Sequence, residues 1–291
     1  MKMFIADAFT EKHFGGNPAG IALLKADEPF PSDDFMQQMA AELKHSETAF
    51  IHPEGGGTFS LRYFTPAGEV DLCGHATIAA FTVLKDEGLL ESHESTALTK
   101  AGRLKIFTDD HLILMSMAKA SDIRKFDLSS PEDAKAVDSF YQSFGLTKEA
   151  MPNDLLPQIV STGLPDILLP VRDKSLLDTL KPDFDKITEI SRSLNVVGFH
   201  VFSLGNKPDI TADCRNFAPL YAINEEAATG TSNGALTWYL YEKGIIEPGM
   251  TNTFLQGEAM GRPSKIMSKV TEQGDILIGG NAVILFRGEL E

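Results

Sequence analysis

Cysteine is nearly absent: Cys73 and Cys214 are the two in 291 residues. They are too few for a disulfide framework, and in a reducing compartment they are expected to be free thiols. Positive charge is also in deficit. Lys and Arg number 26 against 41 Asp and Glu, a formal net charge of −15, which leaves no basic stripe to gather phosphates. Neither nucleic acid nor an anionic membrane surface is therefore an expected partner. No uncharged apolar run approaches bilayer length, and the opening MKMFIADAFT has neither the apolar stretch nor the small-residue cleavage site of a secretory signal. The expected location is cytoplasmic. The seven histidines show no HxH or HExxH spacing, and phosphate-cradling glycine loops are missing, which sets aside metal hydrolysis and nucleotide chemistry.

What is present is repetition. At 291 residues with 43% hydrophobic content, two domains are expected rather than one. The segment EVDLCGHATIAAFTVLKDEGLL from Glu69 aligns without a gap with EEAATGTSNGALTWYLYEKGII from Glu225, an offset of 156 residues. Glu69/Glu225, Gly74/Gly230, Ala79/Ala235, Leu84/Leu240 and Gly88/Gly244 are identical pairs. RYFTP from Arg62 answers RNFAP from Arg215 at an offset of 153, so the second copy carries three extra residues in the turn between. Upstream, MAAELKHSETAFI from Met39 matches ISRSLNVVGFHVF from Ile190, each reading as a helix end followed by a strand.

The helices beginning at Gly74 and Gly230 lack a polar face and must be covered all round, while strands dominate their neighbours. The expected fold is α+β: two similar domains from an internal duplication, each a curled, mostly antiparallel sheet wrapped around a central helix. The division falls at 1–118 and 119–291, with the strand from about Gly279 free to return to the first domain. Strands are expected near Lys2–Ala8, Glu47–His52, Thr58–Phe64, Leu104–Thr108 and Leu112–Met117. Helices are expected at Ser32–Leu43, Pro131–Phe144 and Phe184–Leu194, with a linker from about Ala118 to Ser130.

A glycine at a helix start admits an anion to the unpaired first-turn amides, so Gly74 with His75 and Gly230 with Thr231 are candidate carboxylate sites. The alternative is that His75 and Thr231 simply cap their own helices. Glu47 in HSETAF has Gly198 as its counterpart, one carboxylate where symmetry would supply two. A carboxyl shielded at the start of an apolar strand suits general acid/base work, with a solvated turn residue as the alternative. Ser46 stands ready to orient it. Asn17 in GNPAG is a further lining candidate, with loop structure as its alternative role. Cys73 has Thr229 as its counterpart, which disfavours a symmetric two-thiol racemase.

These residues resemble the PhzF-like isomerases of the phenazine-biosynthesis type, which share the diaminopimelate-epimerase fold. The resemblance spans nearly the whole chain: DAFT, GNPAG, HSETAF, FTPAGEVDLCGHAT, STGLPDILLPV, the RNFAP to GTSNGAL block and QGEAMGRPSKI. It implies two similar domains facing each other across a cleft, no metal or organic cofactor, and a single glutamate that moves a proton on an unsaturated, carboxylate-bearing substrate. That glutamate corresponds to Glu47, and the glycine, histidine and second glycine of the pattern correspond to Gly74, His75 and Gly230. Where much of the family reads DPATGSA, Glu226 to Ser232 stand here, with a longer acidic side chain and no proline, so a different substrate is expected. The implied partner is a small carboxylate, and the candidate protein partner is a second copy of the chain in a homodimer. Two rivals stay open: a non-catalytic small-acid binding protein, and a racemase or epimerase of the same fold.

Overall fold

The computed structural model describes residues 1–109 and 112–290. The chain divides into two compact units, Met1–Ser116 together with Gly279–Glu291, and Met117–Ile278. Each unit is α+β, a curled and mostly antiparallel sheet around one buried helix.

The first unit contains β1 (Lys2–Ala8), β2 (Asn17–Leu23), α1 (Asp33–Leu43), β3 (Thr48–Gly55), β4 (Thr58–Phe64), β5 (Glu69–Val70), α2 (Gly74–Asp86), β6 (Glu94–Thr99), β7 (Gly102–Thr108) and β8 (Ile113–Ser116). The second contains β9 (Ser121–Lys125), α3 (Pro131–Gln142), β10 (Gln158–Ser161), β11 (Pro165–Pro170), α4 (Lys174–Asp178), α5 (Phe184–Leu194), β12 (Gly198–Leu204), β13 (Ala212–Ala218), β14 (Ile223–Glu226), α6 (Gly230–Glu242), β15 (Thr251–Gln256) and β16 (Ser264–Val270), and the division at Ile278 falls within β17 (Ile276–Gly280). The last strand, β18 (Ala282–Glu289), pairs antiparallel with β1.

The two units repeat one pairing scheme. β2 runs parallel to β3, β3 antiparallel to β4, β4 antiparallel to β5 and parallel to β6. In the second unit β11 runs parallel to β12, β12 antiparallel to β13, β13 antiparallel to β14 and parallel to β15. The registers fix residue equivalence: Thr48 opposes Phe64 as Phe199 opposes Phe217, and Ala49 opposes Tyr63 as His200 opposes Asn216.

The central helices explain the fold. His75 to Phe81, Val83 and Leu84 of α2 are all buried, and the helix packs on β1, β2, β3, β8 and β18. Covering Ile78, Phe81, Val83 and Leu84 stabilises the unit by about 1.5–3 kcal/mol for each side chain. Helix α6 is covered in the same way by β10, β11 and β16. Both helices stop on a left-handed glycine, Gly88 at φ +70° and Gly244 at φ +67°. The amides of Leu89 and Ile245 reach back to the carbonyls of Leu84 and Leu240, both at 2.9 Å, the bonding that releases a helix into an αL turn. No helix among the described residues is long and apolar enough to cross a membrane.

A second duplicated device delivers the helix starts. Arg62 clasps Glu69 through two bonds, Nε to Oε1 at 2.8 Å and Nη2 to Oε2 at 2.7 Å. Arg215 clasps Glu225 through the same two atoms, both at 2.8 Å. The paired, planar geometry fixes the segment leading to Cys73 and Thr229. The 3-10 turn Pro219–Tyr221 lies in the longer second-copy loop.

The linker expectation is corrected. Within Ala118 to Ser130, Ser121–Lys125 forms strand β9 and pairs antiparallel with β10. It is an exposed strand with polar residues on both faces, so no apolar alternation marks it. Asn17 likewise stands at the start of a strand rather than within a loop.

Gly198 is a position where the backbone leaves no room for a side chain. A Cβ there would lie 1.9 Å from the Phe217 carbonyl oxygen, so Gly198→Ala is expected to cost about 3 kcal/mol or more. Gly68→Ala, where a Cβ meets nothing within 4 Å, serves as the control in urea denaturation. Equal midpoints for the two variants would contradict the packing described.

Candidate active site

In the first unit, four of the residues singled out in the sequence meet at the start of α2. Glu47 immediately precedes β3, and its carbonyl accepts the Gly20 amide at 3.1 Å, extending the parallel ladder. Its side chain is 19% exposed and turns inward, with Oε2 at 3.2 Å from Nε2 of His75. That oxygen is shielded from solvent and takes no well-aligned hydrogen bond. His75, in the first turn of α2, is 5% exposed. The Asn17 amide lies 3.3 Å from Nδ1 of His75 and the Ser46 hydroxyl 3.2 Å from Nε2.

With the Asn17 amide donating to Nδ1, the imidazole proton resides on Nε2, facing Ser46 and Glu47. Burial pulls His75 below the usual histidine range, against the opposing pull of the Glu47 carboxylate. The ring is therefore a neutral donor at neutral pH. Cys73, the residue before Gly74, occupies the N-cap position and makes no side-chain cap. The contrast is α1, where the Ser32 hydroxyl accepts from the Phe35 amide. Without a cap from that side chain, the first-turn amide hydrogens stay available to another partner at the end where the helix gathers partial positive charge.

Cys73, Glu47 and His75 each place one possible ligand atom within 4.8 Å of the others. The Cys73 sulfur, however, lies 3.4 Å from Nδ1 and 3.8 Å from Nε2. It is thus beside the ring, on the lone-pair axis of neither nitrogen.

The second unit holds Glu226, Gly230 and Thr231. Glu226 ends β14, and its carboxylate accepts the Thr229 hydroxyl at 2.8 Å. Thr229 makes no side-chain cap on α6, so Gly230 and Thr231 open that helix as Gly74 and His75 open α2. The Thr231 carbonyl accepts the Thr162 hydroxyl at 2.9 Å.

Behind this turn lies a group the sequence did not disclose. Asp166 on β11 is 1% exposed and accepts the Ser232 hydroxyl at 2.5 Å. The Asn216 amide donates to Ser232 at 3.0 Å and lies 3.3 Å from Nδ1 of His200. Burial pushes the Asp166 carboxyl up to about 6, against the Ser232 hydroxyl and the Gly198 amide. Burial pushes His200 down to about 3.

The sequence profile of the phenazine biosynthesis-like protein family, PhzC-PhzF, matches residues 6–288. The chain belongs to this family. An uncharacterized isomerase of Clostridium acetobutylicum is 33% identical over 99% of the chain and 97% of its own length. The uncharacterized isomerase YddE of Escherichia coli K12 is 30% identical over the same shares. The crystal structure of the Bacillus anthracis phenazine biosynthesis protein, PhzF family, superposes with a TM-score of 0.83 at 26% identity, covering 100% of the chain and 99% of that protein. The chain is an isomerase of the PhzC-PhzF family.

In this family member the chemical resources at the start of α2 are a carboxyl, a neutral imidazole N–H, a hydroxyl and a helix terminus without a side-chain cap, a set suited to proton transfer beside an anion. The second unit carries two opposed titrations. From pH 6 down to 4 the unfolded chain protonates His200 while the folded chain does not, so that group costs stability as pH falls. Asp166 acts in the reverse sense: the folded chain keeps a proton that the unfolded chain releases, so stability rises as pH falls. Each slope approaches about 1.4 kcal/mol per pH unit, and the two largely cancel. Asp166→Asn removes one. Its unfolding free energy, relative to the parent, is expected to drop by about 1 kcal/mol for each unit from pH 6 to 4 in urea melts. Identical pH slopes would show that the folded carboxyl is ionised throughout.

Proposed function

We propose that the chain moves a proton between carbon atoms of a small carboxylate-bearing substrate, with Glu47 as the single acid/base group. The observation that carries this reading is the shielded Glu47 oxygen, 3.2 Å from the His75 ring, at the uncapped start of a buried helix.

In this mechanism the substrate carboxylate lies against the amides of Gly74 and His75. Glu47, as carboxylate, takes a proton from carbon, and the electron pair of that bond spreads toward the substrate carboxylate as an enolate-like state. The amides are already oriented toward that charge, and each well-placed donor contributes about 3 kcal/mol to its stabilisation. The protonated Glu47 then returns the same proton to another carbon of the skeleton, so no external oxidant or reductant is consumed. His75 donates from Nε2 to the carboxylate or to a substituent, while Asn17 and Ser46 hold its ring and tautomer. In the second unit Gly230 and Thr231 supply a helix terminus of the same build. Glu226, tied to Thr229, sets the acidic lining that distinguishes this chain from the DPATGSA pattern. Glu47 stands alone as the base because its counterpart is a glycine.

The test uses a panel of small unsaturated and α-substituted acids in deuterated water. The parent exchanges a carbon-bound hydrogen of its substrate. Glu47→Gln is expected to retain ligand binding and lose exchange by about a thousandfold or more. Exchange at the parental rate in that variant would remove Glu47 from the mechanism.

A further inference from the structure

The two copies differ in what stands behind the first turn of the central helix. The strand registers and the helix alignment equate Asp166, His200, Asn216 and Ser232 of the second copy with Ala19, Ala49, Tyr63 and Ala76 of the first. In the first copy one large side chain and three alanines fill the space, and the Tyr63 hydroxyl lies 2.7 Å from that of Thr77. In the second copy four polar side chains form a continuous network instead. Such a network is costly unless it is satisfied, yet Asp166 Oδ1 and His200 Nε2 take no well-aligned hydrogen bond, with the Gly198 amide and Asn233 as their neighbours.

The placement of Asp166 is specific. It sits across the parallel ladder from Gly198, the counterpart of Glu47. A glutamate cannot stand at 198 because the Phe217 carbonyl occupies the space of its Cβ. The second copy thus carries its carboxyl one strand over, buried, and bonded to Ser232 of the helix start rather than open to ligand.

We propose that Asp166 is a positioning residue that holds the first turn of α6, and with it Gly230 and Thr231, through the hydroxyl of Ser232. Strand β12 contributes His200, the titratable member of the network besides Asp166. Strand β10 contributes none, β13 contributes Asn216, and α6 contributes Ser232. The importance of the turn for catalysis rests on the function proposed above; its control by Asp166 does not.

The experiment compares amide hydrogen-exchange protection across 233–236, beginning with the Asn233 amide that bonds to the Thr229 carbonyl at 3.2 Å, in the full chain from pH 5 to 8, for the parent, Asp166→Ala, Asp166→Asn and Ser232→Ala. Loss of the acceptor or of the hydroxyl is expected to lower protection of that turn about tenfold. Asn, a neutral acceptor for Ser232 like the protonated carboxyl, restores it to the level the parent shows below pH 6. In the parent the protection changes with a midpoint near the Asp166 value of about 6, and in Asp166→Asn it stays flat. A general loss of packing would instead lower protection evenly along α6 and would not be rescued by Asn. Unchanged protection in both Asp166→Ala and Ser232→Ala, or a parental pH step that persists in Asp166→Asn, would overturn the proposal. Glu47→Gln is expected to leave protection at 233–236 at the parental level. Should that variant retain substrate exchange, the acid/base reading fails while the assignment of Asp166 stands or falls on the protection data alone.

Discussion

The structure depends on the burial of two helices that have no polar face. Each can exist only with a sheet curled around it, and that covering buries one apolar layer of each unit, alongside the outer cores that α1 and α3 to α5 help to build. The constraint has a chemical by-product. A helix enclosed along its length must still end, and at its start the first-turn amides need a partner from somewhere. At α1 the Ser32 side chain supplies one. At α2 and α6 the N-cap side chains of Cys73 and Thr229 do not. The same element that organises each unit thus starts without a cap from its own N-cap side chain, beside the polar residues of that unit.

Duplication supplied two such termini, and divergence gave them different surroundings. The Arg62–Glu69 and Arg215–Glu225 clasps are kept almost atom for atom, as are the glycine stops. What differs is the placement of ionisable groups. The first copy puts a carboxylate and an imidazole at the helix mouth; the second puts a carboxyl and an imidazole behind it, in a network without solvent access. A scaffold held by apolar burial tolerates this exchange, because three alanines and a tyrosine fill about the volume of an aspartate, a histidine, an asparagine and a serine.

The repeat, the buried helices and their glycine stops were legible in the sequence, because identical residues at constant offset and an unbroken apolar run are one-dimensional signals. Lys2–Ala8, Thr58–Phe64 and Phe184–Leu194 form as their periodicity predicts. Strand β9 was not legible: with both faces polar it carries no period, and its pairing with β10 joins residues far apart in the chain. The proximity of Glu47 to His75 was foreshadowed only by their residue types, since the distance between them arises from the β2–β3 ladder packing on α2. The Asp166 network escaped for a related reason. Its members come from two strands, a third strand beside them and a helix, and Asp166 in STGLPDILLPV reads as an ordinary turn-to-strand residue. The signal that existed was the substitution of Ala49 by His200 and Ala76 by Ser232 in otherwise matched segments.

The central claim is that the uncapped start of α2 is an anion-binding surface beside Glu47. Amide proton–nitrogen spectra of the full chain, recorded while acetate is added, test it most directly. The account predicts saturable shifts largest at the amides of Gly74 and His75, with the Ser32-capped start of α1 unresponsive. Equal, non-saturating responses at both helix starts, or none at Gly74 and His75, would contradict it.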